Sequence, residues 1–493
     1  MTTADRSKSD ENRPESTASA SVTADLLTLA DLPAEAVDRV RFTGPDIVLP
    51  SSFRVTAAAR SVIAATSVAV AEVAARRAGR TGPVPTIMVD SIEACAAVQS
   101  ERHLRLDRPV ELWDELAGHY RSRDGHIQFH TNFPHHRKAL LEATGCPADA
   151  DREQVAAEVA TVDRSVMEER VSAAGGIAAA LRTPAEWDAH PHRAHVAGRP
   201  PLRIDRHDRT AGNASPVPLG AAPIERPLAG IRVLDCTRVI AGPVCTRTLA
   251  AYGADVLRIG APDVPVVDSI LPDTTLGKRF ADADITTNAG RDTLRRLAAD
   301  ADVMVVGYRP GALDGHGLGP DELFEGNPNL VLATLSAFGA DGPWGGKRGF
   351  DSITQTATGI VAAEMRAYGT DTPRPLPCQL LDHATGFLLA LGVLRALSTR
   401  NNEGGGWLVE ASLLTTRNWL ESLGPADPDA GRQLSEEDVA PFLESRASPF
   451  GPITHVRHPG WIDGIPARWD VGPSKPGQHE PSWQPRYGAE PTH

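Results

Sequence analysis

Between residues 231 and 339 the chain alternates short apolar runs with longer helical segments, and this pattern limits the fold more than any other feature. "IRVLDCT" (231–237), "ADVLRIG" (254–260), "DVMVVGY" (302–308) and "LVLATLSAFG" (330–339) read as strands. "GPVCTRTLAAYG" (242–253), "NAGRDTLRRLAADA" (288–301) and "DELFEGNP" read as the helices between them. Strands separated by helices of this length return to the sheet in the same direction, so they pair in parallel. The predicted fold class is α/β: a doubly wound, parallel, Rossmann-like sheet in the C-terminal half, with a smaller α+β domain in the N-terminal half. Ligands of such sheets bind beyond the carboxyl ends of the strands. A site is therefore expected at the loops after Asp235, Ile259, Tyr308 and Phe338.

With 493 residues the chain is long enough for two or three domains. Residues 1–22 are polar, lack the apolar core of a signal peptide and are expected to be a disordered tail. Residues 23–208 form an N-terminal region, and 209–226, rich in Pro, Gly and Ala, reads as a linker. Residues 227–420 are the expected catalytic domain, and 421–493 a Pro-rich tail expected to wrap the surface. The net charge of −13 argues against nucleic acid or an anionic membrane as the main partner. Five scattered cysteines with no CxxC pair argue against structural zinc and fit a reducing cytoplasm. Apolar stretches such as "SVIAATSVAVAEVAA" read as buried helices.

Residues 56–94 and 380–414 share an order of parts: a long Ala/Leu/Val helix, a late arginine, a glycine-containing loop and a short strand. This reads as an internal repeat, although Ala-rich helices also resemble one another by chance. Aligning Arg76 on Arg400 sets Ala58 opposite Asp382.

Four segments carry candidate chemistry. In "TRVIAGPVCTRTLAAYGADVLRIGAP" (237–262) a strand turns into a helix whose free N–H groups suit a phosphate or carbonyl oxygen. The spacing matches no common nucleotide fingerprint. "GKR" (277–279), Arg258 and "GYRPGAL" (307–313) bring positive charge to strand ends and loops. "SAFGADGPWGGKRGFDSITQTATG" (336–359) has the glycine density to bring backbone N–H groups close to a reacting carbonyl. In "QLLDHATGFLLALGVLRAL" (379–397) Asp382 stands where a helix begins. It reads either as an N-cap or as a carboxylate nucleophile kept ionised by the helix N-terminus. The histidines of "HTNFPHH" (130–136) lack the spacing of a metal site.

Taken in order, "PLAGIRVLDCTRVIAGPVCTRTLAAYGADVLRI", "GKR", "ADVMVVGYRPGAL", "GLGPDEL", "NPNLVLATLSAFGADGPW", "GFDSITQTATG" and "LDHATGFLLALGVLRAL" resemble the family III CoA-transferases over about residues 227–415. That family includes formyl-CoA transferase, carnitine CoA-transferase and α-methylacyl-CoA racemase. The segment around "DGHIQF" resembles the family's small domain, here preceding the nucleotide-fold half, so the chain reads as a rearranged or partly duplicated member. The resemblance implies an acyl-CoA:carboxylate CoA-transferase working through a mixed anhydride and an aspartyl-CoA on Asp382. It implies coenzyme A contacts at Val239, Ala241, Arg258, Lys278, Tyr308 and Arg309. The loop Phe338–Gly342, with Gly339, would cover the anhydride. No metal is implied. The expected partners are an acyl-CoA, a carboxylic acid and a second copy of the chain in a cytoplasmic homodimer. The racemase branch carries histidine where this chain has Phe350, in Gly349-Phe350-Asp351, which disfavours racemisation by that route. An acyl-CoA racemase or isomerase, or a non-catalytic CoA-binding protein, remain the alternatives.

Overall fold

The computed structural model describes residues 14–80, 85–207 and 215–486. A helix spans Pro14–Leu29, so the tail expected over residues 1–22 is helical from Pro14. Residues 1–13 lie outside those described. Strands β1 (Val40–Thr43) and β2 (Ile87–Asp90) pair in parallel across the helix Val55–Arg77. β3 (Gly118–Ser122), β4 (Gly125–Phe129) and β5 (Ala178–Ala180) form a small antiparallel sheet. Its own apolar core holds Tyr120, Phe129, Leu140, Val155 and Met167. The segment "DGHIQFHTNFPHHRKALLEATG" forms β4 and then the helix Pro134–Thr144. β5, a run of alanines, carries no β-propensity and went unread.

The main sheet contains β6 (Leu202–Arg206), β7 (Arg232–Cys236), β8 (Asp255–Gly260), β9 (Lys278–Asp282), β10 (Val303–Val306), β11 (Val331–Ser336) and β12 (Trp407–Ser412). Its order is β6-β12-β11-β10-β7-β8-β9. Every neighbouring pair is parallel except β6 with β12. The fold is therefore a mixed α/β architecture around a seven-stranded, mostly parallel sheet. β9 begins at "GKR", which reads as a polar loop, yet both cations are satisfied inside the fold. Lys278 meets Asp235 at 2.9 Å and Arg279 meets Asp255 at 2.9 Å.

The helix Leu380–Glu403 is buried along most of its length, as an all-round apolar helix must be. It crosses the helix Ala241–Ala251 closely at Gly386, where a Cβ would stand 2.5 Å from the Ala241 carbonyl oxygen. The helix Val55–Arg77 packs on its other side, with Thr66 Oγ1 donating to the Phe387 carbonyl at 3.0 Å. Both long helices have the length and apolarity of a membrane span, but 94% of each apolar window is buried in the protein. Residues from both belong to one apolar core. Residues 208–214, which include the start of the linker, lie outside those described. Beyond them Val217 N donates to the Arg400 carbonyl, tying the chain to the end of the 380–403 helix.

The C-terminal segment does more than wrap the surface. β13 (Leu443–Arg446) and β14 (Ile453–Val456) form a hairpin, and β15 (Trp461–Ile462) adds antiparallel to β2. Trp469 is buried, its indole N–H donating to the Arg247 carbonyl at 2.8 Å. The sequence alone misjudged this segment because Pro and Gly between short strands hide the period-2 signal.

Candidate active site

The strand-to-helix turn after β7 is braced from below. Buried Asp235 accepts hydrogen bonds from Thr237 N and Thr246 Oγ1 and from the Lys278 ammonium. Lys278 also donates to the Pro243 carbonyl at 3.1 Å. Burial pushes its ammonium down to about 8, against the attraction of Asp235. Gly242 cannot carry a side chain, since its Cβ would lie 2.3 Å from Thr237 Cβ. Above this brace Val239 sits at φ 68°, a region that β-branched residues avoid. Such strain persists only where the surroundings over-determine it, and it clusters at functional sites.

Val239 and Ile240 stand at the junction of two cavities, and so does Asp382. The larger, about 300 Å³, runs along Tyr308, Arg309, Arg238 and Arg348. The smaller, about 50 Å³, is closed by Trp113, His130, Asn132 and Ser352. A third cavity of about 750 Å³ shares Tyr308 and Arg238 with the first, and Trp113 and Asn132 with the second. Arg258 lines this third cavity, packed over the Phe280 ring at 4.5 Å. Its Nε and Nη1 have no hydrogen-bond partner among the described residues. A buried guanidinium with free donors beside a cavity suits an anionic ligand.

Asp382 is the third residue of its helix, not its cap. Gln379 holds the N-cap position, with no side-chain cap hydrogen bond. The backbone N–H of Asp382 instead donates to Asp351 Oδ2 at 2.9 Å. The two carboxyl groups are therefore neighbours in a buried place. Burial and the facing Asp351 and Glu101 carboxylates push Asp382 well above the usual carboxylate range. Asp351 is pushed up to about 7, chiefly by burial, with hydrogen bonds from Asp382 N and Gln355 opposing. This corrects the expectation that the helix N-terminus and nearby N–H donors keep Asp382 ionised. Next to it, His383 Nε2 meets Glu101 Oε2 at 3.0 Å. Burial opposes ionisation of Glu101, but His383 outweighs it and holds the carboxyl low.

The residues singled out by sequence divide into three groups. Asp382, Val239, Ala241, Tyr308 and Arg309 line the 300 Å³ cavity together, and Arg258 lines the adjoining 750 Å³ one. Lys278 lines none of these cavities; fully buried against Asp235, it braces the turn and offers no free ammonium to a ligand. Gly339 lines a cavity of about 350 Å³ that shares Tyr308, Arg309 and Ser336 with the 300 Å³ one, and neither cavity that Asp382 lines. The segments on either side of this loop, at Ser336, Ala337 and Lys347–Gly349, do line the 300 Å³ cavity with Asp382. Trp113, His130 and Asn132 from the N-terminal region share with Asp382 the lining of the 50 Å³ cavity. Of these only His130 carried a sequence signal, through "HTNFPHH", and metal binding was the chemistry considered for it. Among the described residues no group of three or more metal-ligating side chains is assembled.

The fold thus sets a buried carboxylate at the junction of partly basic cavities beside a mostly parallel sheet. Residues 228–437 match the family model of CoA-transferase family III. The chain is 35% identical over 201 residues to a probable fatty acyl-CoA transferase of Mycobacterium tuberculosis, covering 38% of this chain and 50% of that protein. It is 33% identical over 198 residues to a formyl-CoA:oxalate CoA-transferase of Rhodopseudomonas palustris, covering 38% and 46% respectively. A crystal structure of the mycobacterial protein is 36% identical, covers 40% of this chain and 56% of that one, and superposes with a TM-score of 0.36. The chain spans about half the length of the curated relatives it matches.

Proposed function

We propose that the protein is an acyl-CoA:carboxylate CoA-transferase with Asp382 as its nucleophile. The observation that carries this reading is the place of Asp382, a buried carboxylate at the junction of two cavities beside the strained turn at Val239. The family match of residues 228–437 supports it. On this reading the sheet is the doubly wound, Rossmann-like scaffold of the family, and the N-terminal region its small α+β domain. The CoA thioester is a substrate. Its nucleotide end lies along the 750 Å³ cavity by Arg258, and its thioester reaches Asp382 past Tyr308.

A carboxylate oxygen of Asp382 bonds to the thioester carbonyl carbon. The carbon–sulfur bond breaks, leaving a mixed anhydride and the CoA thiolate. The thiolate attacks the aspartyl carbonyl and the donor acid leaves as carboxylate. The acceptor carboxylate then displaces the thiolate from aspartyl-CoA, giving a second anhydride. Attack of the thiolate on the acceptor's carbonyl releases the new acyl-CoA and restores Asp382. Holding the acyl group on the enzyme in a closed site keeps it from water.

Mixing the protein with a panel of acyl-CoAs, then trapping with hydroxylamine, is expected to give an adduct at Asp382 by mass spectrometry. Asp382→Ala is expected to abolish both adduct and exchange. Full exchange by that variant overturns the reading. Deuterium entry at the substrate α-carbon without any acceptor acid would replace it by an isomerase.

A further inference from the structure

Attack on a thioester drives charge onto its carbonyl oxygen, and that charge needs hydrogen-bond donors in place beforehand. Gly339 lines neither cavity at Asp382, so donors are sought among the residues that do. The 50 Å³ cavity beside Asp382 is roughly the size of one or two water-sized groups. It is too small for an acyl chain and large enough for an oxygen atom. Three buried polar atoms of its lining residues have no hydrogen-bond partner among the described residues, Nδ1 of His130, Oγ of Ser352 and Oε1 of Glu101, and of these only the first two can donate. Unpaired buried donors are costly, so their presence in one small cavity points to a group they receive.

His130 is held firmly. Its ring stacks on Phe350 at 3.9 Å and 15°, and meets Trp113 and His136 edge-on. It is 4% exposed. Burial holds its imidazole down to about 4, so at neutral pH it is uncharged and carries one ring proton. Asn132 is engaged at both ends of its amide. Asn132 Nδ2 donates to the Leu112 carbonyl and its Oδ1 accepts from Asp114 N. Glu101 is paired with His383 and lies 3.7 Å from Arg102 Nε.

We propose that His130 and Ser352 form the oxyanion hole of this enzyme, binding the thioester oxygen in the small cavity while the acyl group lies in the 300 Å³ one. This rests on the transferase reading. As Asp382 Oδ bonds to the carbonyl carbon, the carbonyl π pair moves to oxygen, which accepts hydrogen bonds from His130 Nδ1–H and Ser352 Oγ–H. The pair returns as the carbon–sulfur bond breaks and the thiolate leaves. No proton is transferred, so both residues are unchanged at the end of the step.

The test is single-turnover thiol release from an acyl-CoA, read with a thiol reagent, beside CoA affinity by calorimetry. His130→Phe keeps the stack on Phe350 and removes the N–H. It is expected to slow thiol release about 100-fold with CoA affinity unchanged. His130→Gln, which restores a donor, should recover part of that loss, and Ser352→Ala should cause a smaller one. If His130→Phe fails to fold, His130→Gln combined with Ser352→Ala carries the test, and their combined loss should exceed either alone. Release within twofold of wild type in all these variants, with Asp382→Ala inactive, overturns the oxyanion hole alone. No thiol release by the wild type from any donor overturns the transferase reading and this inference with it.

Discussion

Among the described residues no hydrogen bond reaches the Asp382 carboxylate, and its backbone N–H is given to a second carboxyl, Asp351. With Asp351 raised to about 7 and Asp382 raised well above the ordinary range, the pair retains a proton near neutrality. Only ionised Asp382 can attack, so the rate of thiol release is expected to climb with pH above the ordinary carboxylate range, because burial and the facing Asp351 and Glu101 carboxylates hold the proton on Asp382. A rate flat between pH 5 and 8 would contradict this. Stability runs the other way. A carboxyl whose folded value lies above its unfolded one binds more protons folded than unfolded across that interval. Its contribution is therefore fully present at low pH and is lost as pH rises from the ordinary carboxylate range through about 7. Each unit of the raised value corresponds to about 1.4 kcal/mol. Asp382→Asn removes one of the two charges, so its loss of melting temperature between pH 5 and pH 8 is expected to be smaller than that of wild type. An equal loss in both would mean that the two carboxyls do not couple.

At the scale of elements, the approach of two helices sets the geometry of the site. The helix Leu380–Glu403 carries Asp382 and the helix Ala241–Ala251 begins at the turn of Val239. They touch at Gly386, where a Cβ would also lie 2.6 Å from Val244 Cβ. Backbone cannot retreat as a flexible side chain does, so Gly386→Ala is expected to cost about 1–3 kcal/mol in chemical denaturation. It should also lower the rate of transfer more than CoA affinity, because it shifts Asp382 against Val239. An unchanged denaturation midpoint would show that the crossing is slack. Such elements were largely readable in the sequence. The strands at 231–237, 254–260, 302–308 and 330–339 announced themselves as apolar runs between helices. β9 did not, because Lys278 and Arg279 find their carboxylates only after folding. Asp382 could be picked out as a carboxylate before an apolar helix, but its distance from the cap depends on where the helix begins. That boundary is set by Gln379 and Leu380, which carry no start signal.

At the scale of the molecule, the part of the site least visible in sequence is the part that comes from far away along the chain. Glu101, Trp113, His130 and Asn132 stand hundreds of residues from Asp382 in sequence and line one small cavity with it. Local patterns say nothing about such a meeting; it follows from the helices Val55–Arg77 and Leu380–Glu403 sharing a core. The same packing makes the N-terminal contribution to this cavity internal to one chain. A site completed in trans would let two damaged copies repair each other, whereas a site completed in cis would not. Asp382→Ala mixed with His130→Trp, in which the indole fills the small cavity, therefore separates the two arrangements. The mixture, co-refolded from denaturant, is expected to show no more exchange activity than the two variants measured apart. If N-terminal regions were exchanged between copies, random pairing would restore sites holding both Asp382 and His130 to about a quarter of the total. Activity of that size in the co-refolded mixture would show that the region around His130 crosses to a second subunit in solution. Its absence, with each variant folded by circular dichroism, would fix the site around Asp382 as the work of a single chain.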